Sequence, residues 1–326
     1  MINNIEKNIE LYDFDKAFEL VGVEVDKALS SSPLIIRNYT EHLKQARGKF
    51  IRTASLLTVA MNDEGLIHPD AVCFATAIEL LHLGTLVHDD VIDNAKTRRG
   101  IATLQKKFGK KTAVITGDYI YCLALNMAGK VSDRKKYIDF GLPGYMGKIC
   151  LGELNQHINN NNFNLSELCY FKIISGKTAA LFEASLFAGG LVNGCDKNQL
   201  RKYTHLGRYL GMIFQLTDDC IDFEVSSEIA KKPVQSDFEQ GVITLPLIYS
   251  FKKDKALKQK ALDGSLSRVE INKSVSGNGG TLYTKAVSKK YFEKSIKIIN
   301  SIEAPDEKKE RLVQIFNKAY TGLKTK

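Results

Sequence analysis

The sequence predicts an all-α, single-domain protein. Helical periodicity runs through most of the 326 residues, and no segment shows the alternation that is typical of a strand. Six prolines are few for this length, which favours long uninterrupted helices. With 44% hydrophobic and 25% charged residues the chain can bury a large core, so we expect one domain over residues 1–326.

The helices can be followed along the chain. The periodicity predicts three in the first half, over residues 71–95, 112–129 and 141–157. After a polar linker, Asn164 and Glu167 predict an N-cap and capping box for a long helix to about Leu191. Another helix is expected over 198–224, where Gly207 and Gly211 would let a neighbouring helix or a ligand come close.

The last third of the chain is less regular. Residues 225–240 are polar and loop-like, and helical pattern restarts over 241–251. Residues 264–281, which contain Gly277, Gly279 and Gly280 near their end, are expected to be the weakest-ordered region. Two surface-amphipathic helices are predicted from there to Lys326.

The overall charge and the cysteines restrict the function classes. A net charge of +9 suits phosphorylated ligands, a membrane surface or nucleic acid, although a generally lysine-rich composition would also produce it. The sequence has no basic run interleaved with aromatic residues of the kind that would indicate a nucleic-acid groove. The six cysteines are widely spaced, so we expect neither a zinc site nor disulfides, as in a reducing cytoplasm. We expect no signal peptide, no membrane span and a cytoplasmic location.

Two copies of one carboxylate pattern, Asp-Asp-x-x-Asp, lie inside apolar, helix-like sequence. They are Asp89, Asp90 and Asp93, and Asp218, Asp219 and Asp222. Since each helical residue advances about 100°, the first and last aspartates of each motif lie on one face. Buried carboxylates require compensating cations, and oxygen ligands without paired cysteines indicate Mg²⁺. Two facing clusters predict a polyanionic ligand held through metal ions.

Basic side chains accompany these motifs. Lys49 and Arg52 lie three residues apart at a predicted helix start, Arg98 and Arg99 follow the first motif, and Lys177 lies among apolar residues. Arginine suits bidentate phosphate contact, and lysine acts as a point charge. Any one of them could be a solvated residue. Together with two acidic clusters they predict a site for two diphosphates, one held through metal ions and one held directly.

A histidine joins the first motif. His82 lies seven residues before Asp89 on the same helical stripe. A lone histidine on such a helix is more often a core residue with its hydrogen bonds satisfied. The offset from Asp89 favours contact with a ligand.

Seven short motifs occur in order along the chain: GKFIR, HLGTLVHDDVIDNAKTRRG, GDYI, GELNQ, GKTAALF, FQLTDDCID and TLP. This set resembles the trans-isoprenyl diphosphate synthase (polyprenyl synthetase) family from about Lys44 to Pro246. The resemblance implies the isoprenoid synthase fold, a bundle of long helices around a central cavity. It also implies a trans-prenyltransferase, usually homodimeric, that joins isopentenyl diphosphate to an allylic diphosphate such as farnesyl or geranyl diphosphate.

The resemblance implies a role for each site residue. The catalytic set is Asp89, Asp90, Asp93, Lys177, Asp218 and Asp219. Three Mg²⁺ ions per site would be bound by Asp89, Asp93, Asp218 and Asp222. The allylic diphosphate would contact Arg98, Lys177, Gln215 and Lys232. Isopentenyl diphosphate would be held by Lys49, Arg52, His82 and Arg99. Thr178 and the Gln215 amide would stabilise the allylic carbocation. The departing diphosphate would remove the final proton.

Some positions depart from the family pattern. Thr53 replaces a frequent proline, which we expect to be harmless. Two glycines of a phosphate-binding loop are replaced by Lys231 and Gln235, although Lys232 matches. Val242 stands where many members have lysine, so one diphosphate contact is expected to be missing.

Product length is expected to depend on the residues one turn before Asp89. Short-chain members of the family place phenylalanine or tyrosine there, whereas this chain has Gly84 and Thr85. Absent rings leave room for a longer product, because bulk in a packed interior is a hard stop. We therefore expect a hexaprenyl to octaprenyl diphosphate, a menaquinone or ubiquinone side-chain precursor. The alternative is a geranylgeranyl diphosphate synthase, if residues 119–123 close the channel.

Two rival functions remain to be separated from this one. A class I terpene cyclase would carry a different second metal motif, whereas here Asp-Asp-x-x-Asp is repeated. A non-catalytic subunit of a heterodimeric synthase would usually lose the aspartates, and this chain keeps all six. It could still be the catalytic partner of a small accessory subunit in a hexaprenyl or heptaprenyl diphosphate synthase.

Overall fold

The structure is a computed structural model that describes residues 9–46, 48–135, 137, 141–224, 238 and 240–322. Within these ranges the regular secondary structure is almost entirely helical, which confirms the all-α prediction. The chain divides into two compact units, each made of three segments. Unit 1 comprises residues 1–140, 184–203 and 303–312, and unit 2 comprises 141–183, 204–302 and 313–326.

The helices before residue 130 are α1 (Phe14–Ser30), α2 (Leu34–Leu43), α3 (Ile51–Ala60), α4 (Pro69–Ile92), α5 (Leu104–Phe108) and α6 (Lys110–Ala128), with a 3₁₀ turn at Lys44–Ala46. Strands β1 (Thr97–Arg98) and β2 (Ile101–Ala102) pair antiparallel, with Thr97 opposite Ala102. Residues 96–100 form the first half of this hairpin and its turn. Its two turn residues, Arg99 and Gly100, have φ of 52° and 80°. A two-residue type I′ hairpin turn requires such positive φ values at both positions.

The later helices are α7 (Leu142–Ile158), α8 (Glu167–Ile174), α9 (Ala180–Val192), α10 (Lys197–Glu224), α11 (Leu245–Lys253), α12 (Lys255–Leu262), α13 (Arg268–Gly277), α14 (Gly280–Ser301) and α15 (Asp306–Thr321). A π-helical turn, Ser175–Ala179, joins α8 to α9. The long helix predicted to run to Leu191 is therefore three successive pieces.

Helix α4 is the centre of unit 1 and packs against α1, α3 and α6. Pro69 occupies its first turn, and the Nδ1 of His68 accepts a hydrogen bond from the Asp70 N–H at 3.1 Å. Of the described helices, α4 alone is long and apolar enough to cross a membrane, but 67% of its most apolar window is buried. Its apolar length therefore serves the protein core.

Unit 2 is built on a cluster of buried side chains from α8, α10, α11, α12 and α13, including Ile173, Leu216 and Leu247. Close helix contacts position the site residues within it. A Cβ on Gly207 would lie 2.5 Å from the Phe182 carbonyl oxygen, and one on Gly211 would lie 2.4 Å from the Cα of Ala179. The two glycines thus let another helix approach, which is one of the two roles that the sequence predicts for them.

Two local predictions were wrong. The N-cap of α8 is Ser166, not Asn164, and its side chain accepts from the Cys169 N–H at 3.2 Å. Residues 264–281, expected to be weakly ordered, contain helix α13. That helix starts with a capping box in which Ser267 and Glu270 bind each other's backbone N–H.

Candidate active site

The first aspartate motif lies at the C-terminal end of α4, which stops at Ile92. Asp90 is only 6% exposed, and its Oδ1 accepts a hydrogen bond from the Nε of Arg98 at 2.8 Å. Burial raises the pKa of Asp90, while the Arg98 guanidinium acts in the opposite direction. Asp89 and Asp93 are partly exposed. The motif therefore contains one buried, tethered carboxylate and two accessible ones.

A pocket of about 500 Å³ that is open to solvent lies in unit 1. Its lining includes Lys44, Gly48, Glu79, His82 and Arg99. A Cβ on Gly48 would lie 3.4 Å from an Nη atom of Arg99, so the start of the GKFIR motif meets the hairpin turn here. The pocket lining thus contains two of the four residues that the resemblance assigns to isopentenyl diphosphate, His82 and Arg99.

The charges of this pocket act on one another. Burial lowers the pKa of His82 well below its ordinary value, and the positive charges of Arg52, Arg99 and Arg98 lower it further. Burial also lowers the pKa of Arg52 to about 10, although the Glu79 carboxylate acts in the opposite direction. At neutral pH the His82 ring is therefore neutral beside cationic arginines.

The low pKa of His82 predicts a pH-dependent stability. As the pH falls through about 6.5, His82 becomes protonated in the unfolded chain but stays neutral in the folded protein. The free energy of unfolding should therefore decrease on acidification, by at most about 1.4 kcal/mol per pH unit from this group. Urea unfolding from pH 8 to 5 should show a shallower loss in His82→Gln than in the wild type. Equal losses would contradict the assignment.

The second aspartate motif, in unit 2, is arranged like the first in its middle carboxylate. Asp219 is 2% exposed and accepts hydrogen bonds from the Tyr170 hydroxyl and from the Gln215 Nε2, the latter at 2.7 Å. Asp218 is exposed and Asp222 partly exposed. Again the middle carboxylate is buried and held, and Asp218 is accessible. Asp222 differs from Asp93 of the first motif, because its Oδ2 is buried.

The π-helical turn presents the two site residues of the GKTAALF motif. The Nζ of Lys177 donates to the Oε2 of Glu153 at 2.9 Å, and the hydroxyl of Thr178 donates to the Oε1 of Gln215 at 2.7 Å. The π-helical turn and α7 approach each other closely here, since a Cβ on Gly152 would lie 2.3 Å from the backbone nitrogen of Lys177. Single π-turns inside helices are frequent at functional sites. Thr178, Gln215 and Asp219 are consequently linked by hydrogen bonds.

The space beside Gly84 is filled. A Cβ on Gly84 would lie 2.6 Å from a ring carbon of Tyr121 in α6, and one on Gly117 would lie 2.4 Å from the Nε2 of His88. The two rings pack edge to face, with centroids 5.1 Å apart. The empty space that the sequence predicts beside Gly84 is thus filled by the Tyr121 ring of α6. Thr85 is partly exposed and donates to the His82 carbonyl oxygen at 2.7 Å.

Several predicted contacts are placed outside these groups. Lys49 is exposed. Lys231, Lys232 and Gln235 lie outside the described residues. Within the described residues, no cluster of three or more histidine, cysteine or acidic side chains could hold a metal ion by itself.

The sequence reasoning missed three contributing residues: Glu79, Glu153 and Tyr170. Glu79 had a readable signal, because an acid in an otherwise apolar helix lies three residues before His82 on the same stripe. Glu153 lies in the GELNQ motif and could have been paired with Lys177 on charge alone. Tyr170 carries no such signal, since an aromatic residue at helical spacing usually indicates only core packing. Tyr121 was not missed, because it lies within residues 119–123, which were named as able to close the channel.

Comparison with known proteins gives a consistent result. The polyprenyl synthetase family model matches residues 33–275. Heptaprenyl diphosphate synthase component 2 of Bacillus subtilis (strain 168) is 29% identical over 305 residues, which cover 92% of this chain and 87% of that protein. Octaprenyl diphosphate synthase of Escherichia coli (strain K12) is 35% identical over 249 residues, which cover 76% and 75%.

A solved structure agrees with the sequence relatives. The crystal structure of heptaprenyl diphosphate synthase from Staphylococcus aureus is similar with a TM-score of 0.86 and 29% identity. The similarity covers 95% of this chain and 99% of that one.

Proposed function

Because this chain belongs to the polyprenyl synthetase family and is a trans-prenyltransferase that makes polyprenyl diphosphates, we propose that it is a Mg²⁺-dependent, long-chain enzyme. It joins isopentenyl diphosphate to an allylic diphosphate by ionisation, condensation and elimination. The product is an all-trans hexaprenyl to octaprenyl diphosphate. The observation that supports the chemistry best is shared by the two motifs: a buried, tethered middle carboxylate follows an accessible first one, Asp89 or Asp218.

The donor set fits Mg²⁺. This ion is usually held by one or two carboxylates together with substrate phosphates and water. Asp89 and Asp93 in unit 1, and Asp218 in unit 2, offer such open carboxylates, and Asp222 is partly exposed with a buried Oδ2. When bound, Mg²⁺ would neutralise the charge that develops on the diphosphate leaving group.

The side chains around these carboxylates have separate tasks in the proposal. Asp90, held by Arg98, and Asp219, held by Tyr170 and Gln215, fix the geometry of the motifs. Arg98, Lys177 and Gln215, with Lys232 outside the described residues, contact the allylic diphosphate. The hydroxyl of Thr178 and the Gln215 amide face the carbocation with fixed dipoles.

A second group of residues binds the nucleophile. Lys49, Arg52 and Arg99 supply positive charge for isopentenyl diphosphate, and the neutral His82 supplies a hydrogen bond without additional charge. The departing diphosphate takes the final proton, so no protein base is required. The pocket around His82 and Arg99 supports this assignment.

The product length rests on two observations. The small side chains of Gly84 and Thr85 and the heptaprenyl and octaprenyl diphosphate synthases among the relatives favour a long product. The ring of Tyr121 beside Gly84 favours a second candidate, a geranylgeranyl diphosphate synthase. We favour the long-chain enzyme because the small side chains and these two relatives both support it.

The proposal includes the assembly. A cytoplasmic homodimer of a single-domain chain is the first choice, and all six cysteines are free thiols. The relative named component 2 gives reason to test a small accessory subunit.

The test of the chemistry is an elongation assay. The purified chain, given isopentenyl diphosphate and labelled farnesyl diphosphate, should form longer prenyl diphosphates with Mg²⁺ and lose this activity with EDTA. Turnover should return on adding Mg²⁺ back. If the lone chain does not elongate and a candidate accessory subunit restores the activity, the enzyme is a heterodimer and not a homodimer. Elongation that persists in EDTA would contradict the metal dependence.

A further inference from the structure

Glu79 is a buried acid that the proposed chemistry does not use. It lines the pocket with His82 and Arg99 and is only 8% exposed. A carboxylate in such a place is costly unless hydrogen bonds and cations compensate it. The question is therefore what Glu79 holds in place.

Two hydrogen bonds join Glu79 to Thr53. Its Oε1 accepts from the hydroxyl of Thr53 at 2.8 Å and from the Thr53 N–H at 3.2 Å. Thr53 directly follows Arg52 in the first turn of α3, so both bonds tie that turn to α4. A proline at position 53 would offer neither donor, which makes Thr53 more than a harmless departure.

The charge of Glu79 reaches two arginines from different elements. Burial raises the pKa of Glu79, while the positive charges of Arg52 from α3 and Arg99 from the hairpin turn act in the opposite direction. In return, the Glu79 carboxylate favours the charged form of each guanidinium against burial. One carboxylate thus acts favourably on two cations that come from different elements.

We propose that Glu79 is a positioning residue that, through Thr53 and through its charge, holds Arg52 and Arg99 as a preformed diphosphate-binding pair. This inference rests on the proposed binding of isopentenyl diphosphate in the same pocket. Glu79 itself does not touch the substrate. Preorganisation lowers the cost of ordering long side chains on binding, so the benefit appears in the affinity for isopentenyl diphosphate.

The first test is Glu79→Gln, which keeps the acceptor for Thr53 and removes the charge. We expect the KM for isopentenyl diphosphate to rise about tenfold, with kcat and the KM for the allylic substrate within twofold of the wild type. Glu64→Gln is the matched control, since Glu64 is an exposed acid of unit 1. An unchanged or lower KM would overturn the proposal, because simple charge repulsion from Glu79 predicts tighter binding in the variant.

The second test separates positioning from a merely structural role. Thr53→Val removes the hydroxyl donor at nearly constant volume and should raise the same KM, whereas Thr53→Ser should restore it. Calorimetric titration with isopentenyl diphosphate alone should reproduce the order of affinities without turnover. Equal loss for both substrates in Thr53→Val would indicate general destabilisation and contradict the inference. A wild-type chain that binds no isopentenyl diphosphate would overturn the proposed function as well, whereas an active wild type with an unaltered Glu79→Gln would overturn the inference alone.

Discussion

Replacing Asp89 or Asp218 by alanine is expected to lower kcat/KM for condensation by at least about 10³-fold. The loss of one preorganised electrostatic stabiliser already costs about 10² to 10³ in rate, and each of these aspartates is proposed to hold Mg²⁺ as well. Both side chains are accessible, so the folded state should tolerate their loss. Steady-state kinetics and thermal unfolding of the same preparations measure the two effects separately.

The buried members of the motifs provide the contrast. Asp90→Ala removes the partner of Arg98, and Asp219→Ala removes the acceptor of Tyr170 and Gln215. Leaving such donors unsatisfied should lower the free energy of unfolding by about 1–3 kcal/mol. Asp63→Ala, at an exposed position, should change neither quantity. An Asp89→Ala variant that keeps activity within tenfold of the wild type would contradict the proposed role.

Replacing Tyr121 by alanine is expected to lengthen the product. The Tyr121 ring occupies the space beside Gly84, within 2.6 Å of where a Cβ would lie. If the growing prenyl chain passes the turn before Asp89, removing the ring opens room for further isoprene units, and Gly84→Phe closes it. Chromatography of the dephosphorylated products against polyprenol standards measures the shift in each direction.

The hydroxyl of Tyr121 allows a sharper control. The Val114 carbonyl can only accept, so the Nε2 of His88 donates to it, and the Tyr121 hydroxyl donates to the Nδ1 of His88 at 3.3 Å. Tyr121→Phe removes this bond and keeps the ring, so its product distribution should match the wild type. Identical products from Tyr121→Ala and the wild type would show that this ring does not limit the chain.

The sequence was sufficient for the fold class and for the identity of the two aspartate motifs. Helical periodicity is a local property, and a carboxylate pattern in apolar sequence is unusual enough to be informative. The division within each motif was also foreseeable in part, because the outer aspartates share a face. What could not be predicted is which group tethers each middle aspartate. Arg98 and Tyr170 reach Asp90 and Asp219 through tertiary contacts.

The differences between expectation and structure have physical reasons. A small residue at position 84 favours an empty space, but the ring that fills this space belongs to Tyr121, 37 positions further on and within the range 119–123 that was named as able to close the channel. Cavities are defined by residues distant in sequence, and a single residue does not report them. The helix α13 was missed because the glycines of residues 264–281 outweighed the capping pair Ser267 and Glu270, whose side-chain bonds start that helix.

The central claim is that this chain makes a long-chain product, and product length tests it most directly. The purified chain is incubated with Mg²⁺, labelled farnesyl diphosphate and excess isopentenyl diphosphate, and the chain lengths of the products are determined. We predict a distribution centred between hexaprenyl and octaprenyl diphosphate. A product that stops at geranylgeranyl diphosphate, under conditions in which substrate remains, would contradict it.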